Sequence, residues 1–154
     1  AANYVVSALD HAKANGAKTV YLVTNLNPFK ITEVDVIINA VTGPEVVTGS
    51  TRMKAGTATK LILNMISTAT MIKLGKVYGN LMVDLMVVND KLVDRGTRII
   101  EQLTDLDYDG AQLKLFEAKK SVKAAIVMEK LNCTLNEARE KLDNAGGFLR
   151  NLID

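Results

Sequence analysis

The chain has 154 residues, with 19 Lys and Arg against 17 Asp and Glu, a formal net charge of +2, and 48% hydrophobic residues of which few are aromatic. That length fits one domain or one and a half, with a core built from aliphatic side chains. The mixed charges exclude a basic nucleic-acid tract and an acidic tail, and the lone Cys133 excludes an internal disulfide framework and suits a reducing compartment.

Tyr4, Val5, Ala8, Leu9 and Ala12 recur at helical spacing, and Gly16 follows as a C-cap, so residues 3–15 read as an amphipathic helix. The first residues lack the basic and uninterrupted apolar runs of a signal peptide, so none is expected there. The helical pattern starts at once, with no initiator Met, so the chain reads as a piece of something longer. Residues 19–24 are β-branched and aliphatic, a buried strand; residues 25–28 are turn-like; residues 34–41 are a second strand. Helix, strand, connection and strand are part of an α/β sheet with helices on its faces. Two short strands do not make a stable parallel sheet by themselves, so neighbouring strands are expected from missing chain or from a second copy.

Residues 54–89 carry one long helical pattern, apolar on nearly every side in its first half, as in a helix buried between layers. Gly75 and Gly79 either admit a close helix neighbour or mark a bend, and Met65, Met71, Met82 and Met86 read as core filler. The strongly apolar stretch 61–72 is too short to span a bilayer. A cytoplasmic chain with no membrane or nucleic-acid partner is expected. Residues 90–104 continue as amphipathic helix with a possible break at Gly96. A polar turn at 105–110 precedes short helices at 111–119, 121–131, 135–143 and 146–152. Thr134 and Glu137 form a capping box, and Gly146-Gly147 is a turn.

No metal-ligand spacing is present, and no cofactor is expected. His11 reads as a surface histidine and Cys133 as a structural thiol. The informative stretch is 43–60. A Gly43-Pro44 turn leads through Thr48, Gly49, Ser50 and Thr51 into a helix start carrying Arg52 and Lys54. A helix N-terminus presents unpaired N–H groups and a partial positive charge, so it attracts anions. Two cations there oppose helix stability, and an anionic ligand would neutralise them; the alternative is a capped helix with two solvated cations. The stretch is neither a P-loop nor a dinucleotide fingerprint, so a small phosphorylated ligand fits better than ATP or NAD. Glu45 either reaches such a ligand or pairs with Arg52 or Lys54. Glu33 and Asp35 flank the second strand and read as structural. Asp84 reads as a helix-surface or subunit contact.

Gly-Pro-Glu-Val-Val-Thr-Gly-Ser-Thr-Arg-Met-Lys-Ala-Gly-Thr-Ala-Thr-Lys-Leu-Ile-Leu-Asn-Met (43–65) closely resembles the signature of the N-acetylmuramic acid 6-phosphate etherases. Gly-Lys-Val-Tyr-Gly-Asn-Leu-Met-Val-Asp-Leu (75–85) and Ala-Gly-Gly-Phe-Leu-Arg (145–150) extend the resemblance over the whole chain. The glucokinase regulatory proteins carry a looser relative of this signature, with Ser, Arg, Met and Lys of 50–54 in common, and are the nearest rival.

The resemblance implies a sugar isomerase (SIS) domain. Its three-layer α/β sandwich around a parallel sheet would end near residue 85, with the long core helix inside it, and 86–154 would form a small all-helical subdomain. It implies a homodimer that removes D-lactate from N-acetylmuramic acid 6-phosphate by elimination and hydration, in cell-wall amino-sugar recycling. The family's catalytic glutamates match none of Glu33, Glu45 or Glu101. The chain therefore resembles the C-terminal half of such an enzyme, expected to be inactive alone. Glu45, Ser50, Thr51, Arg52 and Lys54 carry over as phosphosugar-binding residues. A non-catalytic phosphosugar-sensing module of the glucokinase-regulator or SIS transcription-regulator type is the second reading. A purely structural, dimerising helical piece is the third.

Overall fold

The Asp35 carboxylate accepts hydrogen bonds from the Thr19 backbone N–H at 2.8 Å and the Thr19 hydroxyl at 3.0 Å in the computed structural model, which describes residues 3–26 and 33–154. These bonds, the Thr19 backbone N–H first, together with the Lys18 ammonium 3.0 Å away, hold its carboxyl well below the usual carboxylate range. This clamp aligns the starts of β1 (Val20–Val23) and β2 (Val36–Asn39), which pair in parallel with Val20 opposite Val36 and Val23 opposite Asn39. Helix α1 (Asn3–Ala14) precedes them, and Gly16 ends it. The two expected strands and the first helix are thus present. The turn expected at 25–28 lies partly outside the described residues.

The chain divides into two compact units, residues 1–66 and 67–154, with the border inside α2 (Lys54–Lys73). Among its described residues the first unit has a thin core: the buried hydrophobic ones are Val23 and Ala55. Helix α2 is apolar on most sides, but the expectation that it is buried is overturned. Leu63 is 55% exposed and Met65 61% exposed, and Leu61, Ile66, Met71 and Ile72 are exposed as well. A ribbon of two short strands offers too little surface to cover an all-round apolar helix. The core-filler reading of the methionines fails for the same reason at Met65 and Met71, and Met82 and Met86 are exposed too.

The long helix expected over 54–89 is also corrected. It stops at Lys73 because Gly75 adopts φ +68°, a left-handed conformation that suits glycine. The Gly75 N–H then bonds the Ile72 carbonyl at 3.0 Å, and the Lys76 N–H bonds the Met71 carbonyl at 3.0 Å. That pair of bonds is the Schellman ending of a helix. An antiparallel hairpin follows, β3 (Val77–Tyr78) and β4 (Leu81–Met82), closed by the two residues Gly79 and Asn80. The four-residue glycine spacing is therefore a stop followed by a turn.

The second unit holds a continuous hydrophobic core. Helices α3 (Asp90–Leu103), α4 (Tyr108–Glu117), α5 (Val122–Leu131), α6 (Leu135–Asn144) and α7 (Arg150–Ile153) follow the hairpin. Helix α5 is central, buried from Val122 through Met128. Around it pack Val83, Val87, Ile99, Ile100, Leu115 and Leu149, among others. Gly96 does not break α3. A Cβ there would lie 3.0 Å from Val122 Cγ2, so the missing side chain lets α3 approach α5. The capping box is present, with Thr134 Oγ1 accepting from the Glu137 N–H and Glu137 Oε2 accepting from the Thr134 N–H. Asp84 lies beyond the hairpin, not on a helix, and pairs with Lys76 at 2.9 Å. The architecture is α/β with a small parallel sheet, followed by a mostly helical region.

Candidate functional site

The segment leaving β2 carries all five residues picked out from the sequence. Hydrogen bonds extend the strand pairing beyond the strand ends, from the Ala40 N–H to the Val23 carbonyl at 2.8 Å and from the Thr42 N–H to the Thr24 carbonyl at 3.4 Å. The chain then turns at Gly43-Pro44 and doubles back to start α2. In open α/β sheets ligands bind outside the carboxyl ends of parallel strands, and this segment lies there.

Of the two roles open to Glu45 in the sequence, the pairing with Lys54 is present through the Lys54 backbone N–H rather than its ammonium, and Glu45 also lines the pocket beside Arg52. Its Oε2 accepts from the Lys54 backbone N–H and its Oε1 from the Ala55 backbone N–H, both at 3.0 Å. These bonds, Lys54 first and Ala55 next, hold the carboxyl below its usual range. Two of the otherwise unpaired donors at the start of α2 are satisfied by a carboxylate from nine and ten residues upstream. The Lys54 ammonium in turn donates to the Pro44 carbonyl at 2.9 Å. Glu45 and Lys54 thus close the segment on itself from both sides.

Arg52 and Ser50 are left facing open space. With Glu45, Val47 and Met53 they line a surface pocket of about 340 Å³. Among the described residues no hydrogen bond or ion pair engages the Arg52 guanidinium. Thr51 instead lines a second, open pocket of about 470 Å³ with Thr24, Ala55, Gly56, Thr59, Lys60 and Leu63. The sequence reading missed Thr24, Thr59 and Lys60 as lining residues. The available signal was the position of Thr24 directly after the first strand.

His11 is an exposed helix residue whose Nε2 lies 3.3 Å from the Asn15 side-chain amide. The Cys133 thiol is free and half-buried, 3.7 Å from the Val127 carbonyl. Among the described residues, no group of three or more His, Cys, Asp or Glu is placed to hold a metal ion. No helix among them is long and apolar enough to cross a membrane.

No family model matches the chain. Curated proteins do. The chain is 56% identical over 147 residues to the N-acetylmuramic acid 6-phosphate etherase of Oceanobacillus iheyensis, covering 96% of the chain and 50% of that protein. It is 51% identical over 151 residues to the enzyme of the same name from Shouchella clausii, covering 98% of the chain and 51% of that protein. It is 49% identical over 151 residues to that of Bacillus subtilis, covering 98% of the chain and 50% of that protein. The chain spans about half the length of the curated relatives it matches.

Proposed function

We propose, for a chain that belongs to the N-acetylmuramic acid 6-phosphate etherase family and spans about half the length of its relatives, that it forms the phosphosugar-binding wall of such an enzyme. The observation that carries the reading is the division of labour in the segment after β2. Glu45 and Lys54 are engaged with the backbone, and among the described residues Arg52, beside Ser50 in an open pocket, has no hydrogen-bond or ion-pair partner.

In this reading Ser50, Thr51 and Arg52 meet the ligand, and Glu45 and Lys54 hold the loop that presents them. A guanidinium gives a planar, doubly donating contact to a phosphate or carboxylate oxygen pair. Hydroxyls add directional bonds to sugar or phosphate oxygens. The reaction is removal of the D-lactyl ether by elimination and then addition of water. Its proton transfers fall to glutamates in the half of the enzyme that this chain does not match. What this chain supplies is binding and orientation. The sugar isomerase type of domain, its end near residue 85 and a homodimeric assembly belong to the same proposal.

Calorimetric titration of the 154-residue protein with N-acetylmuramic acid 6-phosphate tests the reading. Binding is expected, and Arg52→Ala is expected to weaken it at least about tenfold, the scale of one charge-assisted contact, without changing the thermal melt. Unchanged affinity in Arg52→Ala refutes the assignment. Lactate release from the chain alone is expected to be negligible, and robust turnover would show that the acid and base groups lie within it.

A further inference from the structure

Residues 50, 51 and 52 line two pockets in alternation. Ser50 and Arg52 face one, and Thr51 faces the other. The substrate class proposed above carries two separate anionic groups, a phosphate and a lactyl carboxylate. We propose that the second pocket, ringed by Thr24, Thr51, Thr59 and Lys60, is a subsite for the anionic group that Arg52 does not hold. The inference rests on the reading of the chain as a binder of N-acetylmuramic acid 6-phosphate.

Four features of the pocket point to an oxyanion ligand. First, three threonines and one lysine line it from three separate segments: Thr24 after β1, Thr51 before α2, and Thr59 and Lys60 on α2 itself. Second, among the described residues none of these four side chains has a hydrogen-bond or ion-pair partner. Third, Ala55 and Gly56 line it with minimal side chains; a Cβ on Gly56 would meet the Thr51 carbonyl oxygen at 3.3 Å. Fourth, it lies at the carboxyl end of β1, where ligands of parallel sheets bind, as an open surface depression of about 470 Å³.

Lys54 and Lys60 have diverged in role. Lys54 donates to the Pro44 carbonyl, and the start of α2 is already occupied by the Glu45 carboxylate. An anion seated at the first turn would have to displace that carboxylate. Lys60 lies six residues further along α2, roughly 9 Å along the axis, on the face that carries Gly56, Thr59 and Leu63. Its ammonium acts as a point charge suited to a phosphate or a carboxylate, and the threonine hydroxyls supply the direction.

Calorimetry with three ligands tests the subsite and tells which anion it takes. N-acetylmuramic acid 6-phosphate carries both anions, N-acetylglucosamine 6-phosphate only the phosphate, and N-acetylmuramic acid only the carboxylate. In the 154-residue protein, Lys60→Met is expected to weaken the doubly anionic ligand about tenfold, a typical charge-assisted contact. It should weaken one singly anionic ligand by a similar factor and spare the other; Arg52→Met should show the opposite preference. Lys60→Arg should retain most of the affinity, and Thr59→Val should weaken the same ligand as Lys60→Met. If Lys60→Met leaves all three affinities unchanged while Arg52→Met reduces binding, the subsite is wrong and the broader reading stands. Equal losses for both singly anionic ligands overturn it too, because a general disturbance of the loop then explains them. If the wild-type protein binds none of the three, both proposals fall.

Discussion

Glu45 and Ala55 are joined across ten residues of chain by a carboxylate oxygen and a backbone N–H 3.0 Å apart, and the same carboxylate holds the Lys54 N–H. A glutamine in its place accepts one of these two bonds and turns an amide NH₂ toward the other. Glu45→Gln is therefore expected to raise hydrogen exchange at the Lys54 and Ala55 amides and to loosen the 43–53 segment. The wild-type contact also depends on pH. The carboxyl is held below its ordinary value in the folded chain, so its contribution is fully present above the unfolded value near 4.5. It is lost as pH falls through the lower folded value. The Lys54 and Ala55 amide chemical shifts, followed by NMR, should titrate below pH 4.5 in the wild type and stay flat over that range in Glu45→Gln.

Gly96 lies where α3 packs against α5. A Cβ there would sit 3.0 Å from Val122 Cγ2 and 3.4 Å from Leu115 Cδ2, both belonging to fully buried side chains. Gly96→Ala gains up to about 1 kcal/mol of helix propensity but overpacks a filled core, at about 1–3 kcal/mol. Net destabilisation is expected by urea unfolding. Val122→Ala in the same chain should recover part of it. Additive losses in the double variant would contradict this account of the contact.

Most helices of the second unit were legible from local chemistry, although α4 starts at Tyr108 inside the expected 105–110 turn and α7 only at Arg150. Thr134 with Glu137 marks the start of α6, and the amphipathic pattern of residues 90–104 gives α3 nearly to the residue. The hairpin at Val77–Tyr78 and Leu81–Met82 was not, because its strands of two residues are too short for an alternating pattern to register. Gly75 and Gly79 were visible, but only backbone angles tell a helix stop from a helix contact. In the site, the cations of 43–60 and their neighbouring hydroxyls were plain. Which cation is used up internally was not, since Lys54 reaching back to Pro44 and Glu45 reaching forward to Lys54 and Ala55 are contacts across a turn that spacing does not encode. The apolar pattern of α2 correctly described its residues and wrongly implied burial, because burial depends on partners that the pattern does not contain.

Thr97 is fully buried, and its hydroxyl has no hydrogen-bond partner among the described residues. An unpaired buried hydroxyl costs about 1–3 kcal/mol in desolvation. Thr97→Val replaces it with a methyl of similar shape, so the variant is expected to match or exceed wild-type stability by up to that amount. Thr97→Ser keeps the hydroxyl and removes a buried methyl, and should lose about 1 kcal/mol. Chemical denaturation of the pair decides it. A destabilised Thr97→Val would show that the hydroxyl has a partner, such as a buried water.

Lys123 is 8% exposed, and its ammonium donates to the Gly147 carbonyl at 2.7 Å with Asp84 3.8 Å away. Burial lowers its pKa from the ordinary 10.5, against the pull of the Asp84 carboxylate. A depressed lysine pKa means that the unfolded chain binds more protons between the folded value and 10.5. Stability from this group therefore rises with pH through that window. In Lys123→Met the Gly147 carbonyl loses a donor, but Asp84 keeps Lys76 at 2.9 Å, so no carboxylate is stranded. The variant should be less stable than wild type at pH 7 by about 1–2 kcal/mol, the range for one lost hydrogen bond. The gap should widen toward pH 10, because only the wild type gains there. Urea unfolding of both proteins between pH 7 and pH 10 measures it, and a constant gap would mean that the buried ammonium titrates no earlier than an exposed one.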